Sequence, residues 1–183
     1  MTSKTTYVCL LRGINVSGHK IIKMDQLRAA FEALGFADVK TYVQSGNVVF
    51  KAPAQVSGKL EEKIVKKVLQ QFGFSVPVMV KSAEEMSEVV KKNPFLKEKG
   101  IDSSKFHVTF LSCAPEQTAL KMLDAIAAGP DRFCVSKEAI YLHCPNGYGE
   151  TKLSNNVFEK VLSVSATTRN WNTVNKLHEM TLG

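Results

Sequence analysis

Strand and helix patterns recur along this chain in one order, strand–helix–strand–strand–helix–strand, and that order is written twice. Residues 7–11 form a short apolar run containing a β-branched and an aromatic residue, which predicts a strand. A polar loop over 12–22 leads to a helix with Met24, Leu27, Phe31 and Leu34 at helical spacing. Asp25 suits the positive end of that helix, and Gly35 stops it. Extended runs over 39–43 and 47–51 flank a turn containing Ser45-Gly46. A second helix begins near Ser57, with Leu60, Ile64, Val68 and Phe72 on one face, and Gly73 ends it. Its Lys59, Lys63, Lys66 and Lys67 point elsewhere and read as a solvated face. A strand over 76–81 completes the first set. Ser82 and Glu85 then have the spacing of a capping box for a further helix, which ends at Asn93-Pro94.

Residues 94–104 read as a linker. The order resumes with a strand over 106–111 and a helix from Pro115 to Gly129-Pro130, with Pro at the first helical position. Strands over 132–135 and 139–143 flank a turn at Ser136-Lys137-Glu138. A loop over 144–153 precedes a helix capped by Ser154, with Val157, Phe158, Val161 and Leu162 inward. An extended stretch over 164–168 and a final helix from about Asn170 follow. The two hairpins also resemble each other, residues 42–50 beside 133–141. The expected fold is α+β: two ferredoxin-like βαββαβ units made by internal duplication, with extra helices. The first unit covers 1–93, the linker 94–104, and the second unit 105–183 with the C-terminal helix. One continuous mixed sheet is the alternative.

Composition narrows the function classes. No segment approaches 18 consecutive apolar residues, so no membrane span and no membrane partner is expected. The N-terminus lacks the apolar core of a signal peptide, which points to the cytoplasm. Cys9, Cys113, Cys134 and Cys144 form no C-x-x-C pair and read as buried thiols. His19, His107, His143 and His178 lack metal-ligand spacing, so no metal site is expected. The net charge is +7, unevenly spread. Residues 1–93 carry 14 Lys and Arg against 8 Asp and Glu, whereas residues 94–183 carry 10 against 9. No acid precedes Asp25, while Lys4, Arg12, Lys20 and Lys23 do. Positive potential over the N-terminal half attracts anions.

Topology then gathers the polar loops. In a βαββαβ unit the first two strands run parallel and the third runs back. The loop after the first strand and the turn between the second and third thus share one sheet end. That places Arg12, Asn15, His19 and Lys20 near Gln44, Ser45 and Asn47. In the second unit the same logic places Asn146, Tyr148, Lys152, Ser154 and Asn155 near Thr168, Arg169 and Asn170. Packing of the halves about a pseudo-twofold would let both clusters line one cleft. The segment 167–176 is itself unusual, with three Asn, three Thr, one Arg, one Lys and the single Trp. Such side chains compete for backbone hydrogen bonds and disfavour a plain helix. Trp171, in step with Val174 and Leu177, reads as a core anchor rather than a base-stacking platform.

Gly13 and Gly18 have P-loop spacing, but His19-Lys20-Ile21 follows where a P-loop needs Lys and then Ser or Thr. A looser phosphate or carboxylate site at the loop remains chemically sound. The motifs Leu10-Leu11-Arg12-Gly13-Ile14-Asn15-Val16-Ser17-Gly18, Tyr42-Val43-Gln44-Ser45-Gly46-Asn47-Val48-Val49-Phe50, Thr151-Lys152-Leu153-Ser154-Asn155-Asn156 and Ala166-Thr167-Thr168-Arg169-Asn170-Trp171-Asn172-Thr173-Val174 together resemble a mainly bacterial family, domain of unknown function 1697. Members often carry Gly where this chain has Ser17. The resemblance implies a duplicated α+β fold and no established activity, and it supplies no catalytic residues.

The expected function is binding of a small anionic ligand, a nucleotide or phosphorylated metabolite. Arg12, Lys20, Lys152 and Arg169 neutralise its charge; Asn15, Gln44, Asn47, Ser154, Asn155 and Asn170 orient it. Only His19 and Glu150 in these loops offer a general base, so the sequence assigns no reaction and no cofactor. Two alternatives stand: a nucleic-acid-binding module, and an interaction protein whose polar motifs only lock the two halves together. The strands lack an RNP-type aromatic motif.

Overall fold

The computed structural model describes residues 4–126, 129–137 and 139–183. Ala127 and Ala128, within the fourth expected helix, and Glu138, in the expected turn, lie outside the described residues. The elements are β1 (Lys4–Leu11), α1 (Met24–Glu32), β2 (Ala37–Tyr42), β3 (Asn47–Pro53), α2 (Ser57–Phe72), β4 (Val78–Ser82) and α3 (Ala83–Lys91), then β5 (Phe106–Leu111), α4 (Gln117–Ile126), β6 (Arg132–Ser136), β7 (Ala139–His143), α5 (Asn155–Leu162), β8 (Ala166–Asn170) and α6 (Trp171–Thr181). Two four-stranded antiparallel sheets result, ordered β2-β3-β1-β4 and β6-β7-β5-β8. The fold is two ferredoxin-like units with extra helices, as the repeated order predicts.

The chain divides into two compact units. Unit 1 runs to Ser87 and takes back Leu177–Gly183, and unit 2 is Glu88–Lys176. Residues 94–104, expected as a linker, contain the 3-10 turn Pro94–Lys97 and the start of a second, Ser103–Lys105; all of this belongs to unit 2. Asn93 caps the first turn by accepting the Phe95 N–H, and Asp102 caps the second by accepting the Ser104 N–H.

In unit 1, β1 is central and pairs with both β3 and β4. Strand alternation sends Tyr7, Cys9, Leu11, Val48, Phe50 and Val80 to the core beneath α1 and α2. Leu27 and Phe31 of α1, and Leu60, Ile64 and Val68 of α2, close that core. Phe50 sits at its centre, stacked with Phe36 at 4.5 Å and edge-on to Phe31 at 5.4 Å between ring centroids. The other face of β1, with Val8 and Leu10, is buried too. Burial on both faces is why β1 reads as a continuous apolar run rather than an alternating one. The capping box is present: the Glu85 N–H donates to Ser82 Oγ at 3.2 Å, and the Ser82 N–H donates to the Glu85 carboxylate at 2.6 Å.

In unit 2, Leu111, Ile140, Leu142 and Ala166 face Leu123, Phe158 and Leu162 of α4 and α5. Tyr141, on the opposite face of β7, is buried and donates its hydroxyl to the Val89 carbonyl at 2.9 Å. Burial pushes that phenol up to about 12. Trp171 is buried at the start of α6, in the core role its spacing predicts.

Candidate functional site

The ladders bring the polar loops to defined places. In unit 1, Leu10 lies opposite Asn47, and Leu11 opposite Val78. The Leu11 N–H donates to the Gly46 carbonyl at 2.8 Å and the Arg12 N–H to the Pro77 carbonyl at 3.0 Å. The loop over 12–23, the turn over 43–46 and the segment 73–77 therefore meet at one sheet end.

Asn15 ties that end together. It sits in the left-handed region at φ 54°, which Asn tolerates better than most residues. Its Nδ2 donates to the carbonyls of Ile22 at 3.0 Å and Gln44 at 2.9 Å, and its Oδ1 accepts the Ile22 N–H at 2.8 Å. One side chain thus closes the loop on itself and fastens it to the hairpin. Asn47, fully buried, donates to the Tyr42 carbonyl at 3.0 Å and to Ser45 Oγ at 2.9 Å, fixing the hairpin from inside. Both amides are engaged with the protein's own atoms. Lys20 is exposed, and its Nζ reaches the Ser75 carbonyl at 2.9 Å. Arg12 is half-buried; His19, Lys23 and Gln44 are exposed. None of the three segments contains a carboxylate.

Gly46 is held by a close approach. A Cβ there would lie 2.8 Å from Leu11 Cβ and 2.9 Å from Ile14 Cδ1, and its φ is +81°. The turn can press this tightly onto β1 only because position 46 has no side chain.

In unit 2 the shared end also forms. His107 lies opposite Asn170, Phe106 opposite His143, and the Cys144 N–H donates to the Lys105 carbonyl at 3.0 Å. The polar residues gathered there serve mostly as caps and strand–helix ties. Ser154 Oγ accepts the Val157 N–H at 3.5 Å and opens α5. Asn170 Oδ1 accepts the Thr173 N–H at 2.8 Å and opens α6. Thr168 Oγ1 donates to Asn155 Oδ1 and is also bonded to Thr109 Oγ1, both at 2.7 Å, so a polar chain joins β5, β8 and α5. Arg169 pairs with Val108 in the ladder, so it leaves the sheet on the face opposite Thr168. Its Nη1 donates to the Thr168 carbonyl at 3.0 Å. Lys152 is exposed on the loop. Arg169 and Asn155 therefore share a sheet end but not a sheet face.

Two groupings escaped the sequence reading. His107 stacks on Tyr148 with ring centroids 4.9 Å apart, and burial lowers its pKa against the opposing pull of a hydrogen bond to the Lys105 backbone. Arg132 forks onto Glu98 at 2.9 and 3.2 Å, lies over the Phe95 ring at 5.1 Å, and reaches His143 Nδ1 at 3.3 Å. Burial first, then the Arg132 charge, hold the His143 imidazole below its ordinary value, while Glu98, Asp131 and Asp102 pull it the other way. No local motif signals either grouping, because the partners lie on different elements. A pocket of about 180 Å³ in unit 1, lined by Thr6, Asp38, Lys40, Lys51 and Met180, includes none of the predicted site residues. It is smaller than the usual small-molecule site. Among the described residues no group of three or more His, Cys, Asp or Glu side chains is placed to hold a metal.

Residues 4–141 match the family model described as "Protein of unknown function (DUF1697)". The chain belongs to this family. The matched span includes the first two of the four motifs that carry the resemblance, and therefore the Asn15 tie and the Gly46 contact. The DUF1697 chain also aligns with a solved structure, described as the conserved bacterial protein SP0830 from Streptococcus pneumoniae. The two are 22% identical, the alignment covers 98% of this chain and 99% of that one, and the TM-score is 0.76. That likeness extends the shared fold through unit 2 of this DUF1697 member. No curated protein matches the sequence. No helix among the described residues is long and apolar enough to cross a membrane.

Proposed function

We propose that this protein binds a small phosphate-type anion, such as a nucleotide or phosphorylated metabolite, at the loop end of the unit 1 sheet. One observation carries the reading. Three segments that meet there present Arg12, His19, Lys20 and Lys23 and no carboxylate. Asn15 fixes the loop backbone that carries these cations before any ligand arrives, which lowers the ordering cost of binding. Gln44, exposed and bonded through its carbonyl to Asn15, orients the ligand in this reading.

Thermal unfolding at low salt tests this with orthophosphate and adenosine triphosphate. A ligand at ten times its Kd adds about 1.4 kcal/mol, or roughly 3–6 °C for a chain of this size. Lys20→Gln combined with Arg12→Ala should abolish the shift. Absence of a shift with either anion in the unaltered protein refutes the reading.

A second reading is favoured by the engaged amides of Asn15 and Asn47: the motifs are structural ties and nothing more. It predicts that Arg12→Ala lowers the ligand-free melting temperature and that anions leave the unaltered protein unmoved.

A further inference from the structure

The loop end of unit 1 is apolar as well as cationic. Val16 is 57%, Ile21 59% and Val43 50% exposed, three of the eight large hydrophobic side chains exposed among the described residues. Each is a chain neighbour of a residue joined in the Asn15 tie. Val16 follows Asn15 itself, Ile21 precedes Ile22, and Val43 precedes Gln44. The backbone bridge between Val16 and His19 and the bond from the Asn15 N–H to the Lys20 carbonyl draw the loop's two arms together. The three aliphatic side chains are thus held at one end of the unit, interspersed with His19, Lys20 and Lys23. Val43 occupies the left-handed region at φ 48°, an uncommon place for a β-branched residue.

We propose that this end of unit 1 docks on the surface of an anionic phospholipid bilayer, with Val16, Ile21 and Val43 entering the acyl boundary and Arg12, Lys20 and Lys23 on the headgroups. The inference deepens the anion-binding reading and rests on it, since the phosphate is then a lipid headgroup. Charge complementarity favours this occupant, because the three segments carry cations and no carboxylate. The kind of apolar group separates it from other polyanions. The large hydrophobic side chains exposed here, Val16, Ile21 and Val43, are all aliphatic, which suits acyl chains better than the faces of bases. Protein interfaces are depleted in Lys and enriched in aromatic residues, unlike this end. Aliphatic groups beside exposed lysines suit a bilayer surface. A membrane partner was not expected from the sequence, which lacks a spanning run. A peripheral site assembled from three separated residues leaves no such run to find.

Flotation with vesicles tests the proposal at low ionic strength. Vesicles of equal parts phosphatidylcholine and phosphatidylglycerol should carry the protein, and pure phosphatidylcholine vesicles should not. Each cation near such a surface contributes about fivefold in affinity, so Lys20→Gln with Lys23→Gln should weaken partitioning about 25-fold. Val16→Ser with Ile21→Ser, both at exposed positions, should abolish flotation while leaving stabilisation by orthophosphate unchanged. Equal partitioning of the Val16/Ile21 variant and the unaltered protein overturns the proposal. So does binding to heparin or DNA in place of vesicles, or capture by an acidic protein that survives the double substitution. Loss of orthophosphate stabilisation in the unaltered protein refutes the anion reading itself, whereas intact stabilisation without flotation overturns only the bilayer.

Discussion

Gly46 and Gly35 form a matched pair for testing how tightly the hairpin turn is pressed onto β1. Both lie in unit 1 and both have φ +81°. They differ in surroundings: a Cβ at Gly35 meets nothing within 4 Å, whereas one at Gly46 lies 2.8 Å from Leu11 Cβ and 2.9 Å from Ile14 Cδ1. Alanine at either site incurs the left-handed strain of about 1–2 kcal/mol, offset by about 0.4–1 kcal/mol from a less flexible unfolded chain. Only at position 46 does overpacking add about 1–3 kcal/mol. Leu11 Cβ cannot retreat, because its backbone is paired to Val78 and to the Gly46 carbonyl, and Leu11 is fully buried. Gly46→Ala should therefore cost roughly 2–4 kcal/mol, a fall of roughly 5–15 °C in Tm. Gly35→Ala should cost about 1 kcal/mol or less. Urea unfolding followed by far-ultraviolet circular dichroism, with thermal melts alongside, measures both. Equal losses for the two variants would show that the approach at Gly46 relaxes freely and that the turn is not wedged.

The remaining predictions concern titration and thiols. The His107 and His143 imidazoles are both held below their ordinary value in the folded chain, chiefly by burial. As pH falls through about 6.5, the unfolded chain binds protons first, so stability is fully present above that value and declines below it until the folded-state values are passed. The urea midpoint should drop between about pH 7.5 and about pH 5.5, and His107→Gln with His143→Gln should shrink the drop; an undiminished drop would assign it elsewhere. The expectation of four buried thiols holds for Cys9 and Cys144 and fails for Cys113 and Cys134, which are exposed; burial raises the Cys144 thiol to about 11. A colorimetric disulfide reagent should titrate two thiols quickly in the native protein and four after unfolding. Rapid reaction of all four would contradict the packing of β1 and of the loop after β7.

The fold was legible where local chemistry and tertiary demand agree. The α2 helix over Ser57–Phe72, the Ser82–Glu85 box and the strands Phe106–Leu111 and Ala139–His143 all carry their limits in their own residues. The α4 helix begins at Gln117 rather than at Pro115, and β8 begins at Ala166 rather than two residues earlier. In the second case the strand's reach is set by pairing with β5, which a single stretch of sequence does not display. The return of Leu177–Gly183 to unit 1 is likewise a tertiary fact. At the loop end, topology placed the loop after β1 beside the turn between β2 and β3; the Leu10–Asn47 pairing and the Asn15 bond to the Gln44 carbonyl join them, while Lys20 reaches the Ser75 carbonyl instead. The use of Asn15 was not legible, because its partners are backbone groups 7 and 29 residues away. Exposure of Val16, Ile21 and Val43 was hidden for a similar reason: β-branched residues announce strand or core until the neighbouring chain is known.

The return of Leu177–Gly183 also orders events during synthesis. Residues 88–176 supply every strand of the second sheet and leave the ribosome together, so that unit has all its parts first. Unit 1 is complete only once Leu177–Gly183 have followed. Until then β1, an inner strand of its sheet, is held by β3 and β4 and covered by α1 and α2. Unit 1, begun before unit 2, is thus completed after it.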